Sequence, residues 1–512
     1  MLNRFNLFLI FLGYILFSAF NSAYTSNIIA QENLTVELNR ELKKGNFLIG
    51  LKQYLGGGKD SFSKNKNITF TTDKGFLNLS SFNGVKHKSK KINITWKDIP
   101  IKNPYVLERI VFGPYASYES AQKQAKNLKE KGFDATVAFP KNWEVWIPLG
   151  NKLPKNKSQY KISKVIHNTH ITPFLSSEFT VQKLEGPIYL SANDEIKINN
   201  INFGKKFYLV QDLYGSWTLI QKIKFDDYLE GVLPHEIGSN SPLEALKAQA
   251  VIARTWGIYN SERFSMDKYH LCITTQCQVY KPPKFKSKKV KRAIKETSNM
   301  IITYKNQPIN SFYHGSSGGI SAKASESWKI EDFYYFKTII DLPKAFKTSF
   351  KIPISNESEL NQFLDFDQEK FYGKNHSLFR WKKKISNLRI KEYLIKNKLI
   401  NKNDTISNLR IIERGESGRV TNLEIKINNS EKPIFLIKDD IRRIFSFLPS
   451  NLFTINKLND NLWFFRGGGF GHGVGLSQSG AIEMAELGFT YEQILNHYYQ
   501  GTKLKRIEIL SQ

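Results

Sequence analysis

Residues 228–255 read YLEGVLPHEIGSNSPLEALKAQAVIART. Ser241-Pro242-Leu243-Glu244 has the form of a capping box with Pro at the first helical position, and Leu246, Ala250, Ala253 and Gly257 then recur on one helical face. The pattern predicts a helix from Pro242 to about Arg263. Ahead of that helix, Glu236 follows the apolar, strand-like Val232-Leu233-Pro234 and precedes Ile237. Such neighbours partly desolvate a carboxyl, raise its pKa and let it deliver a proton near neutral pH. Spacing by itself favours a plainer reading, a surface or helix-capping glutamate.

Upstream of this block the chain is rich in strand patterns. Residues 46–54 (NFLIGLKQY) and 68–79 (ITFTTDKGFLNL) show β-type alternation around a Gly56-Gly57-Gly58 turn. Residues 106–112 predict a strand, and Ser117 can cap a helix whose Ala121, Ala125 and Leu128 share one face before Gly132 ends it. Short strands follow at 135–139, 143–147, 207–213 and 217–223, and a helical block begins near Asp226. Downstream, strands are expected at 300–304 and 309–313, and residues 344–384 are less patterned. Residues 411–427 read as a hairpin turned by Gly415 to Gly418; two helices close the chain, one over about 477–487 and one capped by Thr490 with Gln493. Mixed but unrepeated elements of this kind predict an α+β fold.

The sequence has 512 residues, with 75 Lys and Arg against 46 Asp and Glu, a net charge of +29, and 41% hydrophobic residues. That supply of apolar residues excludes wholesale disorder and fibrous classes, and the length allows two to four domains. Residues 5–20 (FNLFLIFLGYILFSAF) follow Arg4 and lead into small and polar residues to Ser26. The run is shorter than the roughly 20 residues that span a bilayer, so residues 1–26 read as a signal peptide or an N-terminal anchor of an exported protein. With only two cysteines, the chain is not a disulfide scaffold. The excess positive charge reads either as genome bias or as affinity for a polyanion. Residues 281–295 (KPPKFKSKKVKRAIK), with eight basic residues and no acid, support the second. Nucleic acid is the usual polyanion, but export argues against it and for a cell-envelope polymer.

Three further segments carry chemistry. His270, Cys272 and Cys277 in HLCITTQCQVY offer three zinc ligands, although the same spacing describes a small-loop disulfide or two buried thiols. RGGGFGHGVGLSQSGAIEMAELG, residues 466–488, has six glycines between Gly467 and Gly475, which lets backbone approach a ligand closely and displays His472. It lacks the G-x-G-x-x-G spacing of a dinucleotide site. YHGSSGGISAKASESW, residues 313–328, adds His314, Ser316 and Ser317 but does not fit the G-x-S-x-G of a hydrolase elbow.

Taken in order, GVLPHEI…PLEALKAQAVIART, HLCITTQCQVY, NSFYHGSSGGISAKASESW, ERGESGRV and GHGVGLSQSGAIEMAELGFTYEQILNHYYQGT resemble the successive motifs of the SpoIID/LytB family, over about residues 220–504. VFGPYASYESAQKQAKNLKEKGFDATVAF, residues 111–139, is similar to part of the SPOR module, whose members bind peptide-stripped glycan; a β-α-β insertion without that activity is the other reading. The first resemblance implies a peptidoglycan-acting protein: a lytic transglycosylase that cleaves peptide-stripped glycan strands, or an amidase enhancer working with a cell-wall amidase. It puts the family's catalytic glutamate on Glu236, with Arg254, Tyr280, Ser316, Ser317, His472 and Gln478 at matching motif positions as substrate-binding residues. It also strengthens a structural zinc on His270, Cys272 and Cys277 with an unnamed fourth ligand. The organisation implied is a β-rich part over residues 34–102, a SPOR-like β-α-β module over 103–150 and a catalytic region over 151–510, located in the periplasm or cell envelope.

Overall fold

The computed structural model describes residues 38–509 apart from 58–65, 151–152, 156–158, 177–180, 213, 283–286, 344, 347–349 and 429–431. The expected leader at residues 1–26 lies outside the described residues. Alternating apolar positions give the N-terminal half its main strands: β1 (Asn46–Leu55), β2 (Asn67–Thr72), β3 (Lys91–Tyr115), β4 (Trp143–Pro148), β5 (Tyr160–Ser176), β6 (Lys206–Gln211) and β7 (Trp217–Lys224). One seven-stranded sheet has β1 beside β7 and β7 beside β6, with β1 and β7 antiparallel from Asn46 opposite Lys224 to Leu55 opposite Trp217. A second sheet is centred on β2, β3 and β4. In it, β3 and β5 form a long antiparallel ribbon, from Asn93 opposite Ser176 to Phe112 opposite Tyr160.

The boundary expected at residue 103 falls inside β3, so the first two parts share one strand. Helix α1 (Tyr118–Glu130) starts where the sequence places it, with the Ser117 hydroxyl accepting from the Ser120 N–H at 3.2 Å. Its Ala121, Ala125 and Leu128 pack with Trp143 and Val145, and the same core takes in Phe264, Tyr269 and Cys272 from the second half. This piece is therefore docked on its neighbour, not tethered beside it.

The second half is organised around α2 (Phe225–Leu233) and α3 (Leu243–Tyr259). Phe47 of β1 meets Phe225 and Tyr228 of α2 with ring centroids 4.4 and 5.2 Å apart, which joins sheet to helix. Helix α3 is buried on nearly every side, as an apolar helix at a core centre must be. Around it pack α4 (Lys288–Glu296) and two helices near the C-terminus.

The ends of α3 differ from the expectation. Pro242 is the cap residue and no side chain caps the helix; the Ser241 hydroxyl instead donates to the Ile237 carbonyl at 2.6 Å. Glu244 accepts from the Lys247 ammonium and the Tyr491 N–H, so the expected capping box does not form. The helix stops at Tyr259, four residues short of Arg263, where the Asn260 amide turns back to the Trp256 carbonyl.

The hairpin predicted around Gly415 and Gly418 is present as β8 (Ile406–Arg414) and β9 (Val420–Ile427), and is followed by a short helix α5 (Asp439–Ile444) and strand β10 (Leu462–Gly468). Helix α6 (Gln478–Glu486) is capped by Ser477, and α7 (Tyr491–Tyr498) has the Thr490–Gln493 capping box. The architecture is α+β. Among the described residues no helix is long and apolar enough to cross a membrane.

Candidate active site

Between α2 and α3 the chain makes one wide π-type turn, Pro234–Gly238, which carries Glu236. Such turns inside helical segments push side chains out of the regular ladder and concentrate at functional sites. The sequence reads this approach as strand-like; it is helical because Phe225, Tyr228, Leu229 and Val232 all face the α3 core. Glu236 is partly buried, and its Oε1 accepts from the Val279 N–H at 2.7 Å. The Tyr313 hydroxyl and the Gln478 amide face the carboxyl and favour its ionised form. Burial pushes its pKa up, and the three donors only partly offset that by favouring the carboxylate.

Each donor is held in turn. Gln478 Nε2 also reaches Gln249 Oε1 of α3 at 3.3 Å. Gln278, one residue before Val279, accepts from the Tyr228 hydroxyl at 3.2 Å and donates to the Ala253 carbonyl at 3.3 Å. Tyr228 stacks on Tyr280 with centroids 5.3 Å apart. The loop that offers Val279 is thus clamped from both sides.

Glu236 opens onto a cleft of about 810 Å³, also lined by Val279, Tyr313, Trp328, His472, Asp439 and Arg442. The volume lies in the range of clefts that enclose small-molecule ligands. The start of α1 supplies part of the wall, through Ser117, Tyr118 and Glu119. Two other carboxyls line this cleft, Glu119 and Asp439. Glu119 Oε1 pairs with Arg263 Nη2 at 2.6 Å. Asp439 Oδ2 accepts from the Ser117 and Ser120 hydroxyls at 2.7 and 3.0 Å. His472 packs on Trp328 and His314, with centroids 4.8 and 5.4 Å away. Burial, reinforced by the charges of Arg442 and Arg419, lowers the His472 pKa to about 3. His314 is likewise lowered, by burial first and then by His472 and Arg419. Both imidazoles are neutral at pH 7, whereas burial raises the pKa of Glu236 and pushes that of Asp439 up to about 6, so the proton-holding groups of the cleft are these two carboxyls.

Residues 214–304 match the model of the stage II sporulation protein family, and residues 322–475 match a domain of unknown function, DUF8618. The first match contains Glu236, α3 and the 270–280 loop. The chain is 28% identical over 306 residues to stage II sporulation protein D of Bacillus subtilis, covering 56% of this chain and 76% of that one. It is 26% identical over 297 residues to the amidase enhancer of Bacillus subtilis, covering 54% of this chain and 40% of that one. Residues 214–304 thus carry a stage II sporulation protein domain, and the chain is similar to SpoIID/LytB proteins. A further relative is an uncharacterized protein of Brachyspira hyodysenteriae, 28% identical over 369 residues, which cover 68% of this chain and 88% of that one.

Of the positions matched to SpoIID/LytB motifs, Gln478 contacts Glu236 and His472 lines the cleft. The others lie behind it. Arg254 is fully buried and binds Asp226 Oδ1 and the Thr297 and Met300 carbonyls at 2.9 to 3.0 Å, fastening α3 to α2. Tyr280 is stacked behind the wall, its hydroxyl on Gln221 at 3.4 Å. Ser316 exchanges main-chain hydrogen bonds with Phe470, and the Ser317 hydroxyl is bound to Asp341, so this pair ties the 313–322 segment to the glycine-rich loop. In that loop Gly475 has φ +72° and a Cβ there would run into the Phe312 carbonyl, the close backbone approach its composition predicts. Three residues the sequence does not single out are central: Tyr313 on the carboxyl, Gln278 beneath it and Arg442 across the cleft. Tyr313 sits within the quoted YHGSSGG motif, which is the signal that could have found it.

The residues offered for zinc do not fit that ion as they are arranged. Cys272 and Cys277 form a disulfide with Cα atoms 5.7 Å apart. His270 is spent on both sides of its ring: Nδ1 accepts from the Leu48 N–H at 2.9 Å, and Nε2 faces the Leu38 carbonyl at 3.1 Å. Of the alternatives that the spacing allows, the small-loop disulfide is the one present, and it closes the loop just ahead of Val279.

Proposed function

We propose that this SpoIID/LytB-like chain is an exported lytic transglycosylase of the cell envelope. It cleaves the bond between N-acetylmuramic acid and N-acetylglucosamine in strands already freed of stem peptides. The observation that carries this reading is Glu236: a partly buried carboxyl of raised pKa, held by the Val279 N–H beside Tyr313 and Gln478, and open to the cleft. Protonated Glu236 gives its proton to the glycosidic oxygen as the bond from muramic C1 to that oxygen breaks. The resulting carboxylate takes the proton of the C6 hydroxyl as O6 closes on C1, forming the 1,6-anhydro ring and restoring the acid. No water enters. A hydrolase needs a second carboxylate to activate water or act as nucleophile; Glu119 is spent on Arg263, and Asp439 has one oxygen on Ser117 and Ser120 and its pKa pushed up to about 6, which disfavours the carboxylate form. The Val279 N–H and the Gln478 amide fix the carboxyl's orientation throughout.

The 103–150 piece is read as a wall of the same glycan site, since α1 begins at the cleft. The likeness to an amidase enhancer supports a second reading, a non-catalytic partner of a cell-wall amidase. In either case glycan strands are the ligand and an amidase is the enzyme that prepares them; nucleic acid is not a partner. Digestion of purified strands, with and without prior amidase treatment, separates the two readings. Anhydro-muramyl products from stripped strands, identified by mass spectrometry and absent with Glu236→Gln, are expected. No cleavage by a folded wild type that still binds glycan selects the enhancer.

A further inference from the structure

Across the cleft from the turn that carries Glu236, helix α5 presents Arg442. Among the described residues no hydrogen bond or ion pair reaches its guanidinium, and its Nε is sealed from solvent without an acceptor. The acids nearest in sequence turn to other groups, although Asp439 Oδ1 is itself sealed without a donor. Asp439 accepts from Ser117 and Ser120, while Asp440 pairs with Lys329 at 2.7 Å and Arg443 at 3.2 Å. From the elements packed against it Arg442 meets His472, His314 and Arg419, which are neutral or cationic at pH 7. A partly exposed guanidinium whose Nε is sealed from water, with no anion beside it, is costly, and it persists where an anion is to be bound.

We propose that Arg442 binds the lactyl carboxylate of a peptide-free N-acetylmuramic acid seated over Glu236, and so sets a preference for stripped strands. The inference rests on the glycan-cleaving reading above. Its chemistry is direct: while a stem peptide is attached, the lactyl group is a neutral amide, and removing the peptide uncovers a carboxylate. A guanidinium meets a carboxylate with two parallel charge-assisted hydrogen bonds, which an amide cannot reproduce. Peptide removal therefore creates the anion that this cation lacks.

The test compares stripped strands with the same strands after their lactyl carboxylates are coupled to methylamine, using wild type, Arg442→Gln and Arg442→Lys. Wild type is expected to favour the free carboxylate at least tenfold in kcat/KM, chiefly through KM. Arg442→Gln should treat the two substrates alike, and Arg442→Lys should recover part of the preference. Equal cleavage of both strands by wild type, or an undiminished preference in a folded Arg442→Gln, overturns the proposal; the wild-type comparison decides it even if that variant misfolds. Should wild type cleave neither strand, the transglycosylase reading fails separately. Calorimetric binding of the two strands to wild type then decides the Arg442 proposal, with tighter binding of the free carboxylate supporting it and equal binding ending it.

Discussion

A carboxyl kept protonated for chemistry sits badly in a folded chain at neutral pH, and Glu236 carries that conflict into stability. In the unfolded chain it ionises near its ordinary value of 4.5, whereas burial raises its pKa in the fold. Stability is therefore lost as pH rises from about 4.5 through the folded pKa, because the unfolded chain releases the proton more readily. Glu236→Gln lifts that penalty while keeping an oxygen for the Val279 N–H. The variant and wild type should melt together near pH 4, and the variant should melt higher at pH 7; a melting temperature below wild type at pH 7 would contradict the assignment. In the sequence, the apolar neighbours of Glu236 are visible, and so is its place before the helix. Its donors are not, because Val279 contributes only a backbone N–H and Gln478 comes from the far end of the chain. Arg254 shows the converse, a charged motif residue that reads as substrate-binding but is used to brace α2 against α3.

At the scale of elements, Gly231 explains how α2 can lie flush against the wall of the site. A methyl there would fall inside the Tyr280 ring and against the Lys281 carbonyl. Alanine favours helix over glycine by about 1 kcal/mol, yet the collision outweighs this, and Gly231→Ala should destabilise by about 1–3 kcal/mol in denaturant unfolding. It should also slow glycan cleavage, since Tyr280 adjoins Val279. Local signals found most elements: the Ser117 cap, the hairpin at Gly415 to Gly418 and the Thr490–Gln493 box are each written within a few residues. Ser241 misled because its hydroxyl has a better acceptor in the π-type turn than at the helix start. Residues 106–112 predicted a short strand, and β3 is far longer because its partner β5 lies some fifty residues further on, where no local pattern reports it.

Across the whole molecule, the 103–150 piece is joined to the second half by a buried ion pair. Arg263 binds Glu119 and lies over the rings of Tyr118 and Trp256, with the two side chains only 4% and 10% exposed. Glu119→Ala strands that guanidinium and should cost roughly 3–5 kcal/mol by denaturant unfolding. Replacing both partners with methionine should recover most of the loss. No composition shift announced this docking, because the contact joins residues 144 positions apart.

The amide of Gln478 meets its α3 neighbour Gln249 across 229 residues of chain. Contacts of such separation form late, since the loop between them must close first. During synthesis Glu236 emerges first and waits without that neighbour until 242 more residues have been made. A copy that stops short of Gln478 thus carries Glu236 without the amide that faces it.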